Sequence, residues 1–316
     1  MTRLDRAGLE ACAGEYDAAV DADPAVDGFC TRTDWVLSFH DAFHPGGELV
    51  AARRGSSFVA LAARGPVLEP LEAMWGFASP LVGADSLELL CELLAERRRH
   101  ELLYLAGLPP RDPRTRALIL RLDATHALSV VTTTERFVAR LDDLEGYLAR
   151  RSAKFRAGAR AALRRVRAAG IGFEAVSCLS PAEAEAAYAR VLAVERRSWK
   201  TATGNGVERG PMREFYAGMY PRLAARGALR LLFARHGGED VGYLAGGIAG
   251  TTFRGLQFSF DERLRALGLG NALQLEQIAR LSGSGVTAYD LGAQSAYKAR
   301  WAEGRRLTVG VLARPR

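Results

Sequence analysis

A glycine loop in the C-terminal quarter of the chain has residues suited to holding a phosphate. The segment Arg265–Ala272 reads RALGLGNA and lies between a predicted strand and a predicted helix. Glycines lack Cβ atoms, so a pyrophosphate can approach the backbone, and the N–H groups and dipole at a helix start attract an anion. Arg265 can add a side-chain contact. The alternative is a plain tight turn. The predicted phosphate-binding residues are Arg265, Leu267, Gly268, Leu269, Gly270, Asn271 and Ala272.

A carboxylate on an otherwise apolar helix face is a second candidate for chemistry. Glu195 shares one stripe at helical spacing with Tyr188, Val191, Leu192 and Trp199. A buried carboxylate needs either a partner or a function. A salt bridge to a nearby arginine and a catalytic role both stay open for Glu195.

The excess of positive charge is confined to one predicted helix. The chain of 316 residues has 43 Lys and Arg against 36 Asp and Glu, a net charge of +7. Eight basic residues and no acidic one lie between positions 150 and 167, so the remainder is close to neutral. A solvated face is the ordinary fate of such a segment, but eight like charges favour an anionic neighbour such as an acidic substrate, a membrane surface or a tRNA. The eight are Arg150, Arg151, Lys154, Arg156, Arg160, Arg164, Arg165 and Arg167.

Composition and the N-terminal sequence predict a soluble cytoplasmic protein. Hydrophobic residues make up 48% of the chain, which excludes disordered and fibrous classes. No apolar run approaches the roughly 20 residues of a membrane-spanning helix. The start MTRLDRAGLE lacks the apolar core of a secretory signal.

Cysteine and histidine spacing predicts no metal site. The four cysteines are far apart in sequence, and we expect them to be reduced and mostly buried. His40 and His44 have the spacing of a zinc-protease helix. Asp41 stands where that motif has Glu, and the segment 45–47 (PGG) ends the helix at once.

These residues must be positioned by a mixture of strands and helices. In the first half the pattern predicts, in order, a helix at 34–43, a hairpin at 48–52 and 57–63, a strand running into a loop at 74–83, a helix at 85–99, a strand at 101–108, a helix at 113–122 and a strand pair at 128–140. In the second half it predicts a helix at 146–169, a strand at 171–177, a helix at 181–199 opened by a Ser180–Glu183 capping box, a helix at 211–226, strands at 228–235, 240–249 and 252–260, a helix to about 282, a strand at 286–291, a short helix at 295–303 and a strand at 307–313.

The glycine loop after a strand meander resembles the acyl-CoA pyrophosphate loop of GNAT-fold N-acyltransferases. SAKFRAGARAALRR from 152, ERRSWK from 195 and YDLGAQSAYKARWAEG from 289 are similar to the FemAB/CelD-like branch of that superfamily. WGFASPLVG from 75 resembles a piece of the degenerate N-terminal domain of that branch. Many members have a proline before the loop glycine where this chain has Leu267, and the chain is closer to ordinary acyl-CoA binders there.

The resemblance implies an α/β (α+β) fold of two tandem GNAT-like domains, each a mixed, mostly antiparallel sheet flanked by helices. Residues 1–145 would form the degenerate domain and residues 146–316 the catalytic one. In such folds the strand before the loop and the strand after the next helix splay apart, and the acyl thioester lies in the gap.

The resemblance also implies roles for individual residues. Asp290 and Tyr297 become the candidates for the base and for the acid that protonates the departing thiolate, with Glu195 as a further catalytic candidate. The strand before the loop has no Glu where many relatives place their base. Gln257 and Ser259 on that strand, together with Trp199 and Lys298, are the predicted substrate-binding residues.

The implied function is transfer of an acyl group, acetyl in the first instance, to an amine. Acetyl-CoA or another acyl-CoA would be the co-substrate, with no metal, and the acceptor would be a small molecule or a cell-envelope precursor. One alternative is an aminoacyl-tRNA-dependent transferase, since relatives in this branch use that donor, with the tRNA or another anion at the basic segment 150–167. Another alternative is a non-catalytic module that binds CoA or an anion.

Overall fold

The computed structural model divides into two compact units. They are Met1–Glu135 with Arg306–Arg316, and Arg136–Arg305. The predicted border after residue 145 differs from this division, because residues 136–145 belong to the second unit and Arg306–Arg316 to the first. The structure describes residues 1–96, 100–177, 179–200 and 206–316.

Helices and strands are interspersed along the whole chain. The first elements in chain order are β1 Thr2–Leu4, α1 Arg6–Ala11, α2 Ala13–Ala22, α3 Thr33–Phe43, β2 Glu48–Arg54, β3 Ser57–Arg64, β4 Val67–Pro70, β5 Leu81–Val82, α4 Ser86–Glu96, β6 Leu102–Leu108, α5 Pro113–Asp123 and β7 His126–Arg140. They are followed by α6 Leu144–Ala149, α7 Ala153–Ala168, β8 Gly172–Val176, α8 Pro181–Glu195, α9 Gly210–Ala225, β9 Leu229–His236, β10 Glu239–Ala249, β11 Thr252–Phe260, a 3-10 helix Glu262–Leu267, α10 Leu269–Leu281, β12 Ala288–Ala293, α11 Ala296–Ala299 and β13 Gly304–Pro315.

The sheet of the first unit has the strand order β1-β2-β3-β4-β6-β13, and β5 pairs with β3. The pairings are antiparallel except β4 with β6, where Val67 lies opposite Leu102 and Leu68 opposite Leu103. Leucines on α4 such as Leu89 and Leu93 are fully buried against this sheet. Their burial supplies the core of the unit.

Two predictions in the first unit are wrong. The segment 128–140 is part of one strand, β7, because it contains no Gly, Pro, Asn or Asp to form a turn. The segment 74–83 is a loop with only β5 in extended pairing. The buried Glu72 carboxylate holds this loop by accepting hydrogen bonds from the N–H groups of Trp75 (2.5 Å) and Phe77 (3.1 Å). The predicted helix end at 97–99 lies outside the described residues.

The sheet of the second unit has the strand order β7-β12-β11-β10-β9-β8. It is antiparallel except for β11 with β12. Helix α7 packs against α10, and α8 packs against α9 and β10. Both units therefore carry a mixed, mostly antiparallel sheet with helices packed on it, which confirms the predicted fold class.

The predicted meander of three strands is confirmed as β9, β10 and β11, and the capping box of Ser180 and Glu183 opens α8 as expected. The predicted helix 146–169 is two helices, because Ser152 has extended backbone and caps α7 through the Phe155 N–H. Helix α8 ends at Glu195 rather than at Trp199. Residues 201–205 and Cys178 lie outside the described residues.

Candidate active site

Strands β11 and β12 are paired over three residues and then separate. Thr252 lies opposite Ala288, Phe253 opposite Tyr289 and Arg254 opposite Asp290. On the other side of β11, strand β10 has a register shift between Ala245 and Gly246. Beyond the paired residues lies a cavity of about 220 Å³, which we call the strand-gap cavity. Its lining residues are Lys200, Leu244, Ala245, Gly255, Leu256, Gln257, Phe258, Gln274, Tyr289, Leu291 and Lys298.

The sequence explains why the strands can separate at this point. A Cβ on Gly255 would fall 2.8 Å from Cε2 of Tyr289, so only glycine lets the tyrosine ring lie against β11. The Tyr289 hydroxyl donates to Gln274 Oε1 at 2.8 Å. This contact holds the ring between β12 and α10, and the ring forms one wall of the cavity.

The glycine loop begins α10 with unpaired backbone donors. Gly268 has a left-handed φ of +76°, which favours glycine, and α10 starts at the next residue. The N–H groups of Asn271 and Ala272 donate to the Gly268 carbonyl. Within the part of the chain that the structure describes, the N–H groups of Leu269 and Gly270 have no hydrogen-bonding partner. Free donors at a helix N-terminus are what an anion requires.

Arg265 does not point its charge toward these donors. It is an exposed side chain that donates to Glu262 Oε2 at 3.0 Å within the 3-10 helix. Arg165 of α7 lies beside the loop, since a Cβ on Gly268 would lie 3.3 Å from its Nη2 and 3.1 Å from Cβ of Ala162. The basic helix therefore packs directly beside the glycine loop.

Four of the eight basic residues in the segment 150–167 form ion pairs with acids that lie outside the segment. The ion pairs are Arg150 with Asp142 (2.5 Å), Arg151 with Glu303 (3.0 Å), Arg160 with Glu145 (2.6 Å) and Arg167 with Glu276 (3.2 Å). Among the described residues, Lys154, Arg156, Arg164 and Arg165 have no carboxylate within 4 Å. The charges that sequence alone leaves unopposed are thus reduced to four.

A cleft of about 590 Å³ lies between the start of α7, the start of α10 and α11. We call it the arginine-helix cleft. Lys154 and Arg300 contribute cations to it, and Asn271 contributes the first turn of α10. Its lining residues are Arg151, Ser152, Lys154, Phe155, Gly158, Ala159, Asn271, Arg300 and Trp301.

Tyr297 stands between the cleft and the cavity. Its ring stacks on Phe258 of the cavity wall, with centroids 5.5 Å apart, and lies 6.2 Å from the ring of Trp301 in the cleft. The hydroxyl donates to the Gly270 carbonyl at 3.2 Å. Burial raises the pKa of Tyr297 above its usual value, so the hydroxyl stays protonated and can act as a donor.

Glu195 is fully buried at the end of α8 and acts on the cavity through Lys200. Its carboxylate accepts a short hydrogen bond from the Tyr243 hydroxyl and lies 3.5 Å from Nζ of Lys200. Lys200 donates to Gln257 Oε1 at 2.8 Å and to the Phe258 carbonyl at 2.7 Å, and burial lowers its pKa. The sequence reasoning did not select Lys200. Its rarity, as one of three lysines in the chain, was the available signal.

Lys298 is a second lysine in the same cavity. Its Nζ donates to the Ala293 carbonyl at 3.0 Å. A Cβ on Gly292 would fall 3.4 Å from this nitrogen, and the left-handed φ of +81° at Gly292 also favours glycine. Burial, assisted by the charge of Arg254, lowers the pKa of Lys298 to about 8.

The other predicted catalytic and substrate-binding residues, Asp290, Ser259 and Trp199, do not line the cavity. Asp290 is buried, and its carboxylate is shared by Arg254 (2.8 Å) and Arg136 (3.0 Å). Its Oδ1 also accepts the N–H of Gly292 at 2.8 Å. Both oxygens are therefore engaged, which suits holding the strands more than taking a proton from a substrate. Ser259 is 1% exposed and Trp199 is 38% exposed, and neither lines the cavity.

Among the described residues, no three His, Cys, Asp or Glu side chains are grouped closely enough to hold a metal ion. His40 and His44 lie at the end of α3 with ring centroids 5.8 Å apart. No described helix has the length and apolar character that crossing a membrane would require.

Comparison with known families supports the resemblance seen in the sequence. Residues 153–299 match the model of the acetyltransferase (GNAT) domain family. The matched segment contains α7, the meander, the glycine loop, β12 and α11. No curated protein matches the sequence of this chain.

Solved structures share the fold over nearly the whole chain. FemX matches with a TM-score of 0.66 at 12% identity, covering 98% of this chain and 97% of that one. A conserved protein of unknown function from Bacteroides thetaiotaomicron matches with a TM-score of 0.66 at 13% identity, covering 97% of each chain. L-PGS from Bacillus licheniformis matches with a TM-score of 0.60 at 16% identity, covering 96% of this chain and 91% of that one. At these identities the likeness shows the fold alone.

Proposed function

Since residues 153–299 of this chain match the model of the acetyltransferase (GNAT) domain family, we propose that the chain transfers an acyl group from acyl-CoA to an amine. Acetyl-CoA is the donor in the first instance, and the acceptor is a small molecule or a cell-envelope precursor. The observation that carries the proposal is the position of Tyr297 between the arginine-helix cleft and the strand-gap cavity. A long donor with a charged end and a small reactive end fits that arrangement.

The donor would lie along this path with its phosphates at the start of α10. The unpaired N–H groups of Leu269 and Gly270 would bind the pyrophosphate, with Lys154 and Arg300 of the cleft as further cations. The pantetheine arm would then pass Tyr297, and the acyl group would enter the strand-gap cavity. The thioester sulfur would lie near the Tyr297 hydroxyl.

The reaction needs one group that accepts a proton and one that donates a proton. We assign the role of proton acceptor to Lys200, which in its neutral form takes a proton from the ammonium group of the acceptor substrate. Glu195, 3.5 Å from Nζ, stabilises the protonated lysine that results. The amine nitrogen then attacks the thioester carbonyl carbon and the C–S bond breaks. Tyr297 donates its proton to the departing thiolate and regains one from the nitrogen as the amide forms.

In this assignment Glu195 and Asp290 are positioning residues. Glu195 holds Lys200 through an ion pair and favours its protonated form, and Glu195 does not line the cavity itself. Asp290 fixes Arg254 at the last paired position of β11, and this fixes where β11 and β12 separate. Gln257 positions the Lys200 ammonium from β11.

Asn271→Asp tests the donor site. Asn271 lines the cleft in the first turn of α10, so the substitution puts a negative charge beside the proposed phosphates. Asp in a first helical turn is compatible with the helix dipole, so the fold should persist. We expect about a tenfold weaker affinity for acetyl-CoA by calorimetry, as expected for one unfavourable, partly screened charge.

Ser284→Asp is the matched control, because it adds the same charge in the exposed segment after the other end of α10. An unchanged affinity in Asn271→Asp, or an equal loss in both variants, would overturn the donor assignment. Bound CoA without thiol release over a broad panel of amines would instead support the non-catalytic binding module.

A second candidate donor is an aminoacyl-tRNA, and the four basic residues without a carboxylate partner favour it. Lys154, Arg156, Arg164 and Arg165 extend along α7 beyond the cleft, where a longer polyanion could reach them. Filter binding of tRNA in rising salt separates the donors. Tight binding that depends on the aminoacyl group and weakens steeply with salt supports aminoacyl-tRNA. Binding that ignores the aminoacyl group leaves acyl-CoA as the donor.

A further inference from the structure

Lys298 is a cation on the wall of the strand-gap cavity with a neutral partner. Its Nζ donates to the Ala293 carbonyl, and among the described residues no carboxylate lies within 4 Å of it. The charges that face it are Arg254 on β11, Asp290 on β12 and Lys200 from beyond α8. The one carboxylate among them, Asp290, is already shared by Arg254 and Arg136. A largely buried ammonium in such surroundings is stabilised by an incoming anion.

The cavity is larger than an acetyl group needs. Its volume of about 220 Å³ is the space of about seven water molecules at about 30 Å³ each. An acetyl group has three heavy atoms. The lining also offers polar atoms at Gln257 and Gln274, beside the leucines of β10, β11 and β12. Space and polarity therefore remain for a polar group attached to the substrate.

We propose that the strand-gap cavity binds a carboxylate of the substrate, held by the Lys298 ammonium, within a few bonds of the reacting carbon or nitrogen. The inference rests on the proposed acyl transfer and names its substrate class. The carboxylate comes either from an acceptor of the amino-acid type or from an acidic acyl chain. Lys298 makes this contact, because Lys200 acts in its neutral form as the base and has Glu195 beside it.

The same charge argues against a cationic acyl group in this cavity. An aminoacyl donor carries an α-ammonium next to the reacting carbonyl, and this ammonium would be repelled by the Lys298 ammonium. A carboxylate would be attracted by the same ammonium. The cavity therefore favours neutral or acidic acyl groups over aminoacyl groups.

Matched substrate pairs test the proposal. The acceptor pairs are β-alanine against 3-aminopropanamide and glycine against glycinamide, each with acetyl-CoA. The donor pair is succinyl-CoA against acetyl-CoA with one neutral amine. We expect kcat/KM to favour the carboxylate member of the acceptor pairs or of the donor pair by at least tenfold, about the worth of one charge-assisted hydrogen bond. The arm that shows the preference identifies which substrate carries the carboxylate.

Variants of Lys298 connect the preference to this residue. Lys298→Met should reduce the preference to about one, and Lys298→Arg should restore part of it. Arg116→Met is the control, because Arg116 is an exposed cation on α5 of the first unit, and it should leave the acid-to-amide ratio unchanged. Equal kcat/KM for acids and neutral analogues in the unsubstituted protein would overturn the proposal, as would a preference that survives Lys298→Met.

A binding measurement separates this inference from the proposed reaction. β-Alanine and succinate are titrated into the full-length protein by calorimetry, without any donor. Binding that Lys298→Met abolishes supports the carboxylate site even where no acyl transfer is found. Binding that Lys298→Met leaves unchanged overturns the site even where acyl transfer is found.

Discussion

The two units contain the same succession of three antiparallel strands, a helix and a parallel strand, but they differ around that parallel strand pair. In the first unit the antiparallel strands β2, β3 and β4 lead through α4 to β6, which pairs in parallel with β4. In the second unit β9, β10 and β11 lead through α10 to β12, which pairs in parallel with β11. In each unit the parallel pairing covers only two or three residues. The difference lies in what occupies the space beyond the pairing.

In the first unit the chain itself fills that space. A Cβ on Gly107 of β6 would collide with the Ala78 carbonyl, so the loop after β4 packs directly on the strand. Glu72 holds the loop in place through the N–H groups of Trp75 and Phe77. In the second unit the corresponding space is the strand-gap cavity.

The N-terminal ends of α4 and α10 also differ, in whether the backbone N–H groups have a partner within the chain. Before α4 the Gly83 N–H donates to the Asp23 carboxylate at 2.9 Å, and Arg114 pairs with the same carboxylate at 2.6 Å. The first unit thus supplies its own anion at this helix start. At the start of α10 the N–H groups of Leu269 and Gly270 have no partner among the described residues. The first helix start is thus paired with a carboxylate of the chain, and at the second these two donors can bind an anion.

Among the variants that test this difference between the two units, we expect the largest effect on activity for Tyr297→Phe. The variant removes the proposed proton donor but keeps the ring stacked on Phe258. We expect kcat for acyl transfer to fall about 100-fold or more, as for loss of a general acid, with a small change in acetyl-CoA affinity. Steady-state kinetics with calorimetry checks both.

The control for that prediction is Tyr104→Phe. Tyr104 lies on β6 of the first unit, and its hydroxyl hydrogen-bonds to Thr132 at 3.1 Å. We expect its kcat to be unchanged. Equal kinetics in the two variants would mean that the Tyr297 hydroxyl is not the proton donor.

Gly107→Ala tests whether the first gap is really filled. The new Cβ would meet the Ala78 backbone, which cannot move aside as a flexible side chain can, and the φ of +68° adds strain. We expect a loss of about 3 kcal/mol in the free energy of unfolding, measured by chemical denaturation. Gly55→Ala is the matched control, since Gly55 has a φ of +55° with nothing within 4 Å of its Cβ position. A loss in Gly107→Ala no larger than in Gly55→Ala would show that the loop does not fill the gap.

Local patterns allowed the scaffold of the second unit to be predicted, and long-range contacts explain what was missed. The glycine loop, the meander and the capping box are read from neighbouring residues, and all three are confirmed as structural elements. Lys200 gains its place through Gln257, which is 57 residues away, and no spacing rule shows that contact. The charge of the basic segment was overestimated for the same reason, because Glu276 and Glu303 lie more than 100 residues beyond it.

The buried carboxylates Glu72 of the first unit and Glu195 of the second allow a comparison of the two units in which the expected effect is the smallest. Both are fully buried, but Glu72 binds backbone N–H groups, whereas Glu195 faces Tyr243 and Lys200. Burial lowers the pKa of Lys200, and the charge of Glu195 partly opposes that shift. Glu195→Gln removes the opposing charge, so the pKa of Lys200 should fall further.

Lys200 works as a base only when it is neutral, so its pKa sets the acidic limb of the pH dependence of kcat/KM. The limb should therefore move to lower pH in Glu195→Gln, by about one unit for the loss of one charge at this distance. Glu72→Gln should lower the free energy of unfolding and leave the limb where it is, because its carboxylate has no contact with a proton-transfer group. A limb that stays in place in Glu195→Gln would remove Lys200 from the proton path. A limb that moves equally in both variants would show that the shift follows from weakened folding and not from the lost charge beside Lys200.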